Sequence, residues 1–236
     1  MDVSENWNLE LDADAVLAGQ GAHPDSVRRR SPGLVETAER ALREAGPLLA
    51  PRSVERLVRV ERQEDTELIL AGGARLRSPA LAARLRGAEE VVATVCTIGA
   101  AVEARVSAAL ADDPVFALAL DGVGTAAADR LATAVCERIT AGAAARGLRG
   151  TPPFSPGMPG WPVAEGQDAI FSLVDGRTIG VELTPSHLMI PRKSVSMVVG
   201  LGHRVTHGGR DACDSCGMRA TCRYRTRRGA GASGKR

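Results

Sequence analysis

The sequence predicts an α+β domain, and three observations carry that prediction. Glu90 to Ile98 (EVVATVCTI) is an unbroken apolar, β-branched run, the pattern of a strand buried on both faces. Asp113-Pro114 opens a stretch rich in alanine and small residues that continues to about Arg146, long enough for one dominant helix. Strands and helices are otherwise interspersed without a regular βαβ rhythm, which argues against a doubly wound sheet.

In chain order, Leu11 to Gly19 is a short amphipathic segment stopped by Gly19 and Gly21. Pro24-Asp25 opens basic, polar sequence. Pro32 suits the first turn of a helix to about Ala45, with Leu34, Val35, Ala38, Ala41 and Leu42 as its apolar stripe, and Gly46-Pro47 ends it. Val54 to Glu61 alternates as a strand, Glu67 to Leu70 is a second short strand, and Gly72-Gly73 turns the chain. Ser78-Pro79 pairs an N-cap with a first-turn proline and leads a helix to about Arg86. Gly99 starts an alanine-rich helix to about Ala111. After the long helix, Ala164 to Leu173 is helical, Asp175-Gly176 is a turn, and Thr178 to Leu183 is a strand. Pro191 breaks the next segment, and Ser194 to Leu201 is the last strand.

The chain has 236 residues, enough for a sizeable core, but only three Phe, two Trp and one Tyr, so that core is aliphatic and its helices pack closely. A formal net charge of +2 implies no broad polyanion-binding surface. Met1 to Gln20 carries acids and no long apolar run, and no segment approaches membrane-spanning length. The expectation is a cytoplasmic protein with no membrane partner. In that compartment, neighbouring thiols suggest metal or redox chemistry more than structural disulfides.

The least generic stretch runs from Thr151 to Gly202. It opens with TPPFSPGMPGWP, whose prolines fix φ and remove donors while Gly157 and Gly160 allow close backbone approach. Such a loop can neither coil nor pair as a central strand. On composition it is a surface connector before it is a ligand loop. Arg192 and Lys193 precede a strand, where they either hold an anion or stand as an exposed charge pair. Cys213, Cys216 and Cys222 form C-x2-C-x5-C before a basic tail. That spacing brings thiolates onto one centre, with His207 as the nearest fourth ligand and His203 as the next. Zinc, a [4Fe–4S] cluster with one open iron, and an inert tail all stay open. Cys96 and Cys136 lie in apolar surroundings and read as ordinary core residues. No phosphate loop or nucleophile elbow appears, and Gly122-Val123-Gly124 does not complete a dinucleotide fingerprint. His187, after Ser186, reads as a hydrogen-bonded structural histidine. The basic tail has only Tyr224 for stacking, so nucleic acid is not the expected partner.

The segments PFSPGMPGWP, LTPSHLMIPRKSVS and GLG, in that order, resemble the activation (reactivation) domain of cobalamin-dependent methionine synthase. The stand-alone anaerobe-type relatives are similar further, through CDSCGMRATCRYR, and the helix segment AAADRLATAVCERI resembles the family's long helix. The resemblance spans about Ala15 to Arg225. It implies one domain over 1–205 with a twisted antiparallel sheet and several helices, then a cysteine-rich metal or cluster motif over 206–225, and a disordered basic tail over 226–236. It implies an accessory protein that supports reductive methylation of cobalamin with S-adenosylmethionine, as part of a methionine synthase activity. The cobalamin would be held by a corrinoid-binding methyltransferase or methionine synthase core, with an electron donor protein as a further partner; consistent with that, the chain has no D-x-H-x-x-G lower-ligand motif. The ligand contacts it implies are Pro156, Gly157, Met158, Gly160, Thr184, Ser186, Arg192, Lys193 and Ser194, and the metal ligands Cys213, Cys216, Cys222 and His207.

The chain departs from the family pattern at defined places. Pro153 stands where the family's loop has Arg, Met158 where it has Tyr, Pro185 where it usually has Glu, and Thr133 at an acidic position on the long helix. A guanidinium grips a carboxylate through two bonds, and neither proline nor methionine replaces it. These departures support a second expectation: a non-catalytic iron–sulfur or zinc accessory protein that keeps the fold and a docking surface.

Overall fold

The structure is a computed structural model that describes residues 1–5 and 7–205. Cys213, Cys216, Cys222, His207, the 206–225 motif and the 226–236 tail lie outside the described residues. In chain order the elements are β1 (Asp2–Ser4), α1 (Ala13–Gly19), α2 (Pro24–Arg30), α3 (Pro32–Ala45), β2 (Arg52–Gln63), β3 (Glu67–Leu70), β4 (Arg75–Arg77) and α4 (Pro79–Arg84). They continue with β5 (Glu90–Thr97), α5 (Ala101–Ala109), α6 (Pro114–Ala145), β6 (Arg149–Gly150), α7 (Val163–Leu173), β7 (Glu182–Leu183), β8 (Met189–Ile190) and β9 (Ser194–Gly202).

Seven strands form one antiparallel sheet in the order β4-β3-β2-β5-β9-β6, with β1 also paired to β2. Strand β2 is long enough to serve two neighbours on one edge. Its first part pairs with β1, and its last part, beyond an irregularity between Val60 and Arg62, pairs with β3. An irregularity of that kind bends a strand and increases its twist, and the sheet curls there. Strands β7 and β8 form a separate two-stranded hairpin.

The sheet lies between two cores, and β5 shows why its sequence is apolar throughout. Val92 and Cys96 face the core made with α1, α3, α5 and α6, while Val91, Ala93 and Val95 face the core made with α4, α7 and the proline loop. Alternation across the strand puts consecutive residues in different cores. Burial pushes the Cys96 thiol up to about 12, and Cys136 on α6 places its Sγ 3.4 Å from Met197 Sδ. Both are packing residues, as their apolar surroundings in the sequence imply.

Helix α6 crosses the first core. Asp113 caps it by accepting from Phe116 N at 3.0 Å, and Pro114 fills the first turn. Phe116, Leu120, Val123, Leu131, Val135 and Ile139 are buried along it. Two arginines near its end tie it to the sheet. Arg138 pairs with Glu55 of β2 and donates to Ser4 Oγ at 2.6 Å, and Arg146 grips both oxygens of Glu90 of β5. Among the described residues no helix is long and apolar enough to cross a membrane.

The structure corrects two expectations and adds a helix. The basic, polar stretch Pro24–Arg30, to which the sequence assigns no element, is helical; Pro24 sits in its first turn, and Arg28 reaches Asp14 of α1 at 2.6 Å. Thr178 to Leu183 is not one strand. Asp175 accepts from Arg177 N and starts a 3-10 turn, Gly180 takes a left-handed φ of 76°, and only Glu182–Leu183 is extended. The proline loop is more than a surface connector: Phe154 and Trp161 are buried in the second core, with rings stacked 5.7 Å apart.

Candidate functional site

The loop from Thr151 to Pro162 continues from the edge strand β6 alongside β9, which it meets at an isolated bridge. Thr151 N donates to Gly200 O at 2.8 Å, and Phe154 and Val198 exchange two bonds of 2.9 Å. Proline restricts this to an edge, because it removes ladder donors. The chain then folds back on itself. Met158 N donates to Ser155 O, Gly157 N to Trp161 O, and Trp161 N to Met158 O. Gly157 and Gly160 both hold φ of 88°, a region that side-chain-bearing residues rarely adopt. Ser78, which caps α4 by accepting from Leu81 N, also donates through its hydroxyl to Gly160 O at 2.7 Å. Pro156 lies against Gly166 of α7, where a Cβ would come within 2.7 Å of its ring. Met158 packs on the second core. The loop is therefore braced from both α4 and α7.

Thr184 and Ser186 lie in the turn between β7 and β8. Their hydroxyls are 3.0 Å apart, and Thr184 Oγ1 accepts from Leu188 N. His187, at a left-handed φ of 60°, contacts Asp168 of α7 through Nδ1 at 3.0 Å. Thus α7 carries both the proline loop, through Gly166, and the hairpin turn, through Asp168.

Arg192 and Lys193 turn the other way, towards the first core. Lys193 lies along Gly124 of α6, its Nζ 2.8 Å from both Asp121 Oδ1 and Thr125 Oγ1, and its backbone N donates to Glu103 Oε1 at 2.7 Å. Arg192 Nε sits 3.7 Å from the other Glu103 oxygen. These four charged residues and Val106 line a cleft of about 200 Å³. The small residues that the sequence shows at this part of α6 are explained by close packing, Gly124 under Lys193 and Gly122 against Val16 of α1 and Gln20 just beyond it. Ser194 is buried and donates to Pro191 O. The nine residues singled out for ligand contact thus divide into six in the loop and hairpin turn around α7, the Arg192–Lys193 pair against α5 and α6, and Ser194, buried at the start of β9.

Thr133 is exposed on α6, its hydroxyl turned back to Asp129 O. His203 is hydrogen-bonded to Glu89 through its backbone N and its ring, which holds the Glu89 carboxyl below its usual range. Among the described residues no group of three or more His, Cys, Asp or Glu could hold a metal ion. Asp168 and the buried Trp161 carry no distinguishing signal in the sequence.

This curled antiparallel sheet, with its long helices on one face and a braced loop on the other, defines a class of fold. The chain is similar to the crystal structure of the MetH reactivation domain bound to AdoHcy, with a TM-score of 0.60 and 17% identity over 89% of this chain and 80% of that chain. The chain has that fold. No protein-family model and no curated protein matches its sequence.

Proposed function

We propose that this chain is a reactivation-type accessory protein of a cobalamin-dependent methyltransferase, supporting reductive methylation of a partner's cobalamin with S-adenosylmethionine. The observation that carries the reading is the fold shared with the MetH reactivation domain along most of both chains. The loop PFSPGMPG supports it, because its glycines and its anchors on α4 and α7 keep it in one shape beside the hairpin turn. In this reading Pro156, Gly157, Met158, Gly160, Thr184 and Ser186 contact the ligand, and Arg192, Lys193 and Ser194 set the path of the chain into β9. The ligand donates its methyl group to reduced cobalamin on the partner, and an electron donor supplies the reducing equivalent. The protein works in the cytoplasm, on a corrinoid methyltransferase or methionine synthase core.

The test is calorimetric titration of the full chain with S-adenosylmethionine, paired with the absorption change of a corrinoid methyltransferase under reducing conditions. Saturable binding and chain-dependent formation of methylcobalamin are expected. An absence of binding heat together with no methylation sinks the reading.

A second reading is favoured by the loop's side chains. Pro153 and Met158 bring no charge or phenol to it, and Met158 is turned onto the core. Each missing charge-assisted hydrogen bond weakens binding by about 1.5–3 kcal/mol, roughly 10- to 100-fold. In this reading the chain keeps docking and has lost the methyl donor. It predicts co-elution with the corrinoid partner without S-adenosylmethionine binding.

In both readings residues 1–205 form the folded unit, and Cys213, Cys216 and Cys222, with His207, bind a [4Fe–4S] cluster or zinc. Anaerobic purification followed by metal analysis is expected to give either a brown protein with iron and sulfide or a colourless one with about one zinc per chain. Metal-free protein from both aerobic and anaerobic preparations rules the site out.

A further inference from the structure

Helix α7 meets the proline loop through Gly166 and the hairpin turn through Asp168. Gln167 lies between these two contacts and turns inward. It is 5% exposed, and its Oε1 accepts from Ser196 Oγ of β9 at 2.9 Å. The residues of β9 on this face are Ser194, Ser196 and Val198. Ser194 donates to Pro191 O where the hairpin ends, and Val198 is bridged to Phe154 of the loop. Ser196 and Gln167 therefore meet on the stretch of sheet between the hairpin and the loop.

This stretch is polar in a layer otherwise packed with side chains such as Val95, Ile170 and Val198. Thr97, Ser194, Ser196 and Gln167 are all buried there. The hydroxyls are accounted for. Ser194 Oγ lies 2.8 Å from Thr97 Oγ1, which accepts from Gly99 N, and Ser196 is paired with Gln167. The Gln167 amide nitrogen is not accounted for. It carries two donors, and neither has a partner among the described residues. Buried polar groups are normally paired, so an unpaired one calls for an explanation. Among the described residues, Trp161 Nε1 is the one fully enclosed side-chain nitrogen or oxygen without a partner. The Gln167 Nε2 is therefore not sealed in, and it meets an opening. Its oxygen is held by the sheet while its nitrogen is left free to donate.

We propose that Gln167 is a ligand-binding residue of this site, its Nε2 donating to an acceptor atom of S-adenosylmethionine held between the loop and the hairpin turn. This rests on the function proposed above and adds a residue to it. The contact supplies a polar side-chain grip from α7, which Pro153 and Met158 of the loop do not bring.

The experiment uses the full chain titrated with S-adenosylmethionine, followed by calorimetry and by the side-chain amide signals in a nitrogen–proton correlation spectrum. The Gln167 NH2 pair is identified by its absence from the Gln167→Met spectrum. It is expected to shift as the wild-type protein saturates, a response that a purely structural glutamine would not give. Gln167→Met keeps the length of the side chain and is expected to lose about tenfold in affinity. It also leaves the Ser196 hydroxyl without its acceptor. If its unfolding midpoint falls, Ser196→Ala is added to remove that hydroxyl, and the affinity is read in the folded double variant. Saturable wild-type binding with the Gln167 pair unmoved, or equal affinity in the folded variant, overturns this inference and leaves the proposed function standing. No binding by the wild-type chain overturns both.

Discussion

Replacing Trp161 with alanine is expected to lower the free energy of unfolding by about 3–5 kcal/mol, measured by chemical denaturation. The indole is 1% exposed and stacks almost parallel on Phe154, with an interplanar angle of 6°. Its removal leaves a cavity bounded by Pro156 and α7 that backbone cannot easily fill, because the loop is hydrogen-bonded at both ends. A control separates packing from polarity. The Trp161 Nε1 donor is buried with no hydrogen-bond partner among the described residues. Burying an unpaired donor costs about 1–3 kcal/mol, so Trp161→Phe sheds that cost while keeping a ring for Phe154. It is expected to destabilise by less than half as much as alanine. Equal losses in the two variants would show that the indole nitrogen contributes a bond after all.

The second large effect is expected at Gly160. Alanine there is expected to cost about 2–4 kcal/mol, because two penalties coincide. The residue holds φ of 88°, and a Cβ would lie 2.5 Å from the Cβ of Ala80 on α4. Relief requires the loop to move away from α4, which also stretches the bond from Ser78 Oγ to Gly160 O. Gly72 is the comparison: its φ is 85°, yet nothing lies within 4 Å of its Cβ position. Gly72→Ala therefore reports the backbone penalty alone, about 1 kcal/mol. A Gly160→Ala loss no greater than that would mean that α4 yields to the loop at little cost.

Elements whose signal is local are legible in the amino-acid sequence. Ser78-Pro79 and Asp113-Pro114 both cap their helices through the expected side chains. The run at Glu90 is the strand buried on both faces that its β-branched composition implies. Elements supported mainly from outside are not legible in this way. Helix α2 buries only Pro24 and is steadied by Arg28 on Asp14, a contact that depends on how α1 is placed. Strands β1 and β4 have three residues each, too few for a period to show, and exist because longer strands offer them an edge.

The same distinction governs the sites. The proline loop is conspicuous because glycine and proline announce backbone constraint through residue type alone. Its bracing by Ser78 and Gly166 is not, since those residues lie on other elements. Arg192 and Lys193 are visible as charges, but their pairing with Glu103 and Asp121 depends on how α5 and α6 meet.

The two-sided burial of β5 and β9 has a consequence for how the molecule can change. A step of one residue along either strand moves a side chain from the layer of the proline loop to the layer of α6. Substitutions at alternate positions can therefore reshape one layer while the other keeps its packing, and the two faces share little beyond the main-chain ladder between them. Such a sheet works as a partition, with each side free to repack on its own account.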